Sequence, residues 1–248
     1  MTNEAVLLDT NIIIDFILGL AWTIAIKKGL PKSAEIEKKI LEKLTKILSS
    51  FRNSRFKILI TEKAYTEFFK VMERYLRLSH KLFTERLLKS IKSLFESYSD
   101  VVIIINTRDK EGMVEKKLRE YRIRFPREDL HIITCAVTLE PDYVCSDEDS
   151  VIKAIEELLR REGLRIPAFG GLEKFLDSLS GLGVISIGER ILIGYFAYKL
   201  QRIPHVLSRV FHLQPSIGEG ELKEWENYAT RRFQRYIPPK LLMQYLTH

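Results

Sequence analysis

The chain has 248 residues, 46% hydrophobic and 10% aromatic, enough to bury a sizeable core as one large domain or two modest ones and too much for a disordered chain. Lys and Arg number 40 against 33 Asp and Glu, a formal net charge of +7 that favours polyanionic partners. Only two cysteines occur, Cys135 and Cys145, with no CxxC pair, which argues against a disulfide framework and for a reducing compartment.

Met1 to Glu4 carries neither the basic nor the long apolar segment of a secretory signal, so a cytoplasmic protein is expected. Ala5-Val6-Leu7-Leu8 is a short apolar run stopped by Asp9-Thr10-Asn11, the pattern of a parallel-sheet strand buried on both faces. The apolar run from Ile12 to Ile26 contains Asp15, which argues against a membrane span and is assigned to capping the first helix. A helix over Ala34 to Leu48 and a strand over Phe56 to Ile60 follow, with Thr61 as N-cap of helical spacing that runs from Glu62 to Phe95. Val101 to Ile105 reads as the third strand, Gly112 to Arg122 and Pro126 to Leu139 as helices, and Tyr143-Val144-Cys145 as a strand ending at Ser146-Asp147. After a helix over Ser150 to Glu162, a fifth and weaker strand is expected at Leu164-Arg165-Ile166, and a helix over Leu172 to Leu179.

Strands alternating with helices predict an α/β fold with a parallel sheet covered on both faces. Glycines at 170, 171, 181 and 183 set an expected domain boundary near residue 180, dividing a domain over 1–180 from a mostly helical C-terminal extension over 181–248. Glu189 and Arg190 interrupt the apolar run from Gly183 to Leu200, which therefore reads as a buried helix, and no membrane association is expected. Scarce Gln with abundant Ile, Lys, Arg and Glu points weakly to a thermophile.

In an open α/β sheet, ligands bind beyond the carboxyl ends of the strands. Four elements deliver acids there: Asp9 ends the first strand, Asp147 the fourth, Glu67 lies early on the helix after the second strand, and Asp129 begins the helix before the fourth. Gathered carboxylates resist joint ionisation unless a cation compensates them, and an oxygen-only donor set suits Mg²⁺ or Mn²⁺. Such ions activate water and stabilise the leaving oxygen in phosphodiester hydrolysis. Each acid taken alone has an ordinary explanation, Asp9 as a turn residue, Glu67 as a solvated helix residue and Asp129 as a first-turn acid. Asp147, Glu148 and Asp149 equally read as a polar loop capping the helix at Ser150; Asp147 is favoured for metal because it comes first after the strand.

The segments Val6 to Asn11, Thr61 to Glu67, Asp129 to Ala136 and Val144 to Asp149 resemble, in order and spacing, the successive motifs of PIN-domain ribonucleases, and Leu172 to Leu176 resembles the helix that closes many of them. The resemblance covers about residues 4–180. It implies a three-layer α/β/α fold with a five-stranded parallel sheet of order 3-2-1-4-5 and Mg²⁺- or Mn²⁺-dependent endoribonuclease activity on RNA. It further implies Asp9, Glu67, Asp129 and Asp147 as the catalytic, metal-holding acids, Asp149 as a fifth acting through water, and Asn11 and Ser146 in support. Cys145 stands where the family usually has Thr or Ser, so the hydroxyl that helps hold metal or water is expected to be missing or displaced to Ser146.

Lys70, Arg74, Arg77 and Lys81 form one helical stripe, and Arg119, Arg122, Arg124 and Arg127 lead into Asp129; both are candidate phosphate contacts, with a solvated face as the alternative. In the extension, Arg231, Arg232 and Arg235 share a face with Tyr228 and Tyr236, suited to RNA, to a protein partner or to homodimerisation. The function expected is RNA processing or quality control, with a toxin-like RNase as the near rival. A catalytically silent RNA-binding or assembly module is the rival from another class, and a phosphatase with Asp9 as nucleophile ranks below, since residue 11 is Asn where that chemistry wants a second Asp.

Overall fold

The computed structural model describes residues 4–27, 33–78 and 85–202. Four of the five strands lie within a residue of the expected apolar runs: β1 (Ala5–Leu8), β2 (Lys57–Thr61), β3 (Val102–Ile105) and β4 (Tyr143–Cys145). All pair in parallel with β5 (Ala168–Gly170) in the order β3-β2-β1-β4-β5, with Leu7 opposite both Leu59 and Val144. β1 is thus the central strand, which is why Val6, Leu7 and Leu8 are apolar on both faces and fully buried.

The fifth strand differs from its expected position at Leu164-Arg165-Ile166. Gly163 ends the preceding helix in the left-handed region, φ 68°, and Leu164 N–H turns back to the Leu159 carbonyl at 2.9 Å, so this segment belongs to a helix cap. Pro167 cannot donate to a ladder, and pairing begins with Ala168 N–H on the Asp142 carbonyl.

The helices are α1 (Thr10–Lys27), α2 (Ser33–Ser54), α3 (Glu62–Leu78), α4 (Glu85–Ser97), α5 (Arg108–Glu120), α6 (Leu130–Leu139), α7 (Asp149–Glu162), α8 (Leu172–Gly181) and α9 (Ile187–Arg202), with a 3-10 turn at Arg127–Asp129. The stretch from Glu62 to Phe95 is not one helix. The rings of Phe68 and Phe95 lie 6.5 Å apart, whereas 27 residues of continuous helix would separate them by about 40 Å, so α4 folds back on α3. The apolar period continues through both because each presents the same kind of face to the other.

α5, α6 and α7 pack together on one side of the sheet and α1, α2, α3, α8 and α9 on the other, giving three layers. α1 is buried almost throughout, and Asp15, expected at its cap, lies inside the helix at 6% exposure. Its length is explained by α9, which lies against it. A Cβ added at Gly19 would stand 2.5 Å from the Ile193 carbonyl oxygen, and Trp22 stacks on Phe196 at 6.1 Å. Residues 191–197, on the far side of the expected boundary near 180, are therefore buried in the same core as α1. No helix among the described residues is long and apolar enough to cross a membrane.

Candidate active site

β1 stops because Asp9 follows Leu8, and the same residue starts α1: its carbonyl accepts the first helical bond, from Ile13 N–H at 3.3 Å. Its carboxylate, 4% exposed, is fixed at both oxygens. Oδ1 accepts the Thr10 N–H at 2.6 Å and Oδ2 accepts the Ser146 hydroxyl at 2.7 Å. Burial raises the Asp9 pKa despite these two bonds, and the Glu148 and Asp147 charges raise it further.

Ser146 is the pivot of the β4 end. While its hydroxyl donates to Asp9, its oxygen accepts the Glu148 N–H at 3.2 Å, so one side chain orders two acid-bearing turns. The expected loss of a hydroxyl at Cys145 resolves in this way: the Cys145 side chain is turned fully into the core, where burial pushes its thiol pKa up, and the next residue supplies the hydroxyl. Both cysteines are buried and free.

Thr10 brings in the third element. Its hydroxyl donates to Glu67 Oε2 at 3.2 Å, joining the start of α1 to the second turn of α3. On the other flank, Thr61 caps α3 by accepting the Ala64 N–H at 3.2 Å, and its hydroxyl lies 2.6 Å from His131 Nδ1. His131 is buried, and burial lowers its pKa to about 4, so at neutral pH the ring that shares a hydrogen bond with Thr61 is uncharged. This buried pair ties the end of β2 to α6, immediately after Asp129.

Asp129 precedes α6, and its Oδ2 is buried without a hydrogen-bond partner among the described residues. Burial raises its pKa to about 7, helped by the charges of Glu148, Asp9 and Glu128 and opposed by Lys63. Of the neighbouring charges on Asp9 and on Asp129, that of Glu148 acts most strongly on both.

The last acids divide. Asp147 Oδ1 leans on the turn between β5 and α8, where a Cβ added at Gly171 would stand 2.1 Å from it. Glu148 is the N-cap residue of α7, and Asp149 is exposed on the first turn of that helix. Sequence reasoning left Glu148 to the loop, although its distance from the hydroxyl at Ser146, two residues, was the available signal. Asn11 is exposed on α1; the groups that touch the Asp9 carboxylate are Thr10 and Ser146. Among the described residues, no three of the Asp, Glu, His and Cys side chains already converge on a common metal-sized point. The oxygens of Asp9 are held by Thr10 and Ser146, and Asp147 is drawn toward Gly171.

The family model of the PIN domain matches residues 5–149, more than half of the chain and the whole span from β1 to the start of α7. The chain belongs to the PIN-domain family. No curated protein and no solved structure matches it. The PIN domain is in general a nuclease fold; PIN nucleases act on RNA and typically use divalent metal ions. The sheet order 3-2-1-4-5 expected from the resemblance is the order observed, and the family match does not extend into 181–248.

Around this PIN site the expected basic residues fare unequally. Arg119 pairs with Glu115 at 2.6 Å and Arg127 approaches the same carboxylate at 4.0 Å, so part of their charge is met locally. Arg122, with a left-handed backbone at φ 55°, and Arg124 are exposed. Lys70 is exposed on α3. The side chains of Arg74 and Arg77 are not among those described, and Lys81, Arg231, Arg232 and Arg235 lie outside the described residues.

Proposed function

We propose that the chain is a divalent-metal-dependent endoribonuclease acting in RNA processing or quality control. The observation that carries this reading is Asp129 Oδ2, a buried carboxylate oxygen with no hydrogen-bond partner among the described residues, in the field of Asp9 and Glu148. Burial of an unpaired charged group is costly, and a cation at that point would satisfy Asp129 and relieve the mutual repulsion of its neighbours. The donors are all carboxylate oxygens, which fits Mg²⁺ or Mn²⁺.

Asp9, Asp129 and Glu148 would hold the ion, with Glu67 and Asp147 at its flanks and Asp149 reaching it through water. When bound, such an ion supplies Lewis acidity toward a phosphodiester and neutralises its developing negative charge. Ser146 and the Thr10 N–H hold Asp9 in one orientation, so its negative charge is fixed before substrate arrives. Thr10 steadies Glu67, and the Thr61–His131 pair steadies the approach of α6 to β2. Hydrolysis then needs only water addition at phosphorus and departure of one ester oxygen, which takes up a proton.

The test is cleavage of end-labelled RNA by the full chain in Mn²⁺, with Asp9→Asn beside it. The parent is expected to cleave internally and Asp9→Asn to lose at least about a hundredfold in rate, as removal of a preorganised charge does. Cleavage that survives unchanged in Asp9→Asn would overturn the assignment. RNA binding by the parent without cleavage would favour the silent module instead.

A further inference from the structure

Beyond Glu67, on the β3 side, the protein surface falls into a cleft of about 310 Å³ between the first turns of α3 and α5. α3 contributes Lys63, Thr66, Glu67 and Lys70, which share one helical face, while Ala64, Phe68 and Met72 on another face are buried in the core. α5 contributes Arg108 from its first turn. Both helices start at the carboxyl ends of neighbouring strands, where an open parallel sheet receives its ligands and where helix N-termini favour anions.

The cleft is lined by three carboxylates and three cations, but they are not paired one to one. Glu62 faces Arg108 at 3.5 Å, while Glu67 and Glu111 accept hydroxyls, from Thr10 at 3.2 Å and from Thr107 at 2.6 Å. Lys63 and Lys70, by contrast, have no carboxylate within 4.0 Å among the described residues, and the Lys63 ammonium donates to an uncharged acceptor, the Glu128 carbonyl. The two lysines, two helical turns apart on α3, thus flank Glu67 with no ion pair within 4.0 Å among the described residues, a spacing that suits a phosphate chain passing along the face of α3.

We propose that this cleft takes the backbone phosphate of the nucleotide next to the cut, with Lys70 and Lys63 supplying the charge and Arg108 the far wall. The proposal rests on the ribonuclease reading of the adjoining carboxylates. It makes the strand run from the Asp9 site across Glu67 toward β3.

The experiment is binding of a labelled single-stranded oligoribonucleotide to the full chain in chelator, where cleavage does not interfere, by fluorescence anisotropy across a salt series. Lys70→Gln and the double variant Lys63→Gln/Lys70→Gln are compared with Lys46→Gln, an exposed lysine on α2 that does not line the cleft. Each lost phosphate contact should weaken binding by about threefold or more and lower the salt slope by about 0.7, with Lys46→Gln behaving like the parent. Unchanged affinity and slope in the double variant, or an equal loss in Lys46→Gln, would overturn the cleft. A parent that binds through these lysines yet cleaves nothing in Mn²⁺ overturns the ribonuclease reading alone; a parent that cleaves while the lysine variants bind normally overturns the cleft alone.

Discussion

Asp129 concentrates the electrostatic conflict of the fold, because its Oδ2 is removed from water and given no donor among the described residues. Its pKa rises from 3.8 to about 7, so between those values the folded chain holds a proton that the unfolded chain has released. The sign follows: in chelator this group's contribution to stability is full below about 3.8 and is lost as pH rises through about 7. Asp129→Asn removes the titration and keeps the shape. Thermal melts in chelator should show the variant close to the parent at pH 4 and more stable than it at pH 8; equal melting temperatures at pH 8 would contradict an uncompensated carboxylate. Added Mn²⁺ should reverse the order by stabilising only the parent. How much of this was legible depended on the residue. Asp9 stood out because a buried run stops at it, and Asp129 only through its resemblance to a family motif, since an acid opening a helix has an ordinary explanation. Glu148 and Thr10 did not, since a loop acid and a polar residue after a strand have ordinary explanations that only spatial neighbours can displace. Cys145 was misleading in a specific way: strand alternation turns it inward and hands the hydroxyl role to Ser146.

Among the elements, glycine separates two kinds of helix position. Gly19 is the contact point of α1 with α9, where even a methyl group would press into the Ile193 carbonyl at 2.5 Å, whereas Gly112 on α5 has nothing within 4 Å of an added Cβ. Gly112→Ala should therefore stabilise by about 0.5–1 kcal/mol through helix propensity alone. Gly19→Ala offers the same propensity gain but forces backbone apart, so a net loss of about 1–3 kcal/mol is expected, as for other overpacked cores. Denaturant melts of the two variants decide this, and a stabilised Gly19→Ala would mean that α9 does not sit tightly on α1. Helical spacing predicted α2, α3 with α4, α5, α6 and α7, because each buries a stripe, whereas α1, buried on nearly all sides, showed only as an apolar run. It did not show where α3 gives way to α4, since the fold-back leaves the apolar period intact, and it set the fifth strand four residues early because apolar residues in a helix cap mimic a short strand.

At the scale of the molecule, the place of α9 decides where the nuclease domain ends. Glycines around 181–183 look like a linker in sequence, yet Ile191, Leu192, Ile193, Tyr195 and Phe196 beyond them are all buried. Two ion pairs add to the docking, Lys43 with Glu189 at 2.9 Å and Arg190 with Asp177 at 2.5 Å. Burial of each large side chain contributes about 1.5–3 kcal/mol, so removing α9 forfeits an amount comparable to the about 5–15 kcal/mol net stability of a whole domain. It also exposes the face of α1 around Gly19 and Trp22, on the helix that positions Asp9. Two truncations separate the possibilities. A chain ending at residue 202 should remain soluble, melt cooperatively and show the same Mn²⁺-dependent rise in melting temperature as the full protein. One ending at residue 180 should aggregate or melt without a cooperative transition, and the Mn²⁺ response should vanish with it. If the shorter chain instead folds and responds to Mn²⁺ like the longer one, the domain closes at α8, and α9 belongs with the extension that follows it.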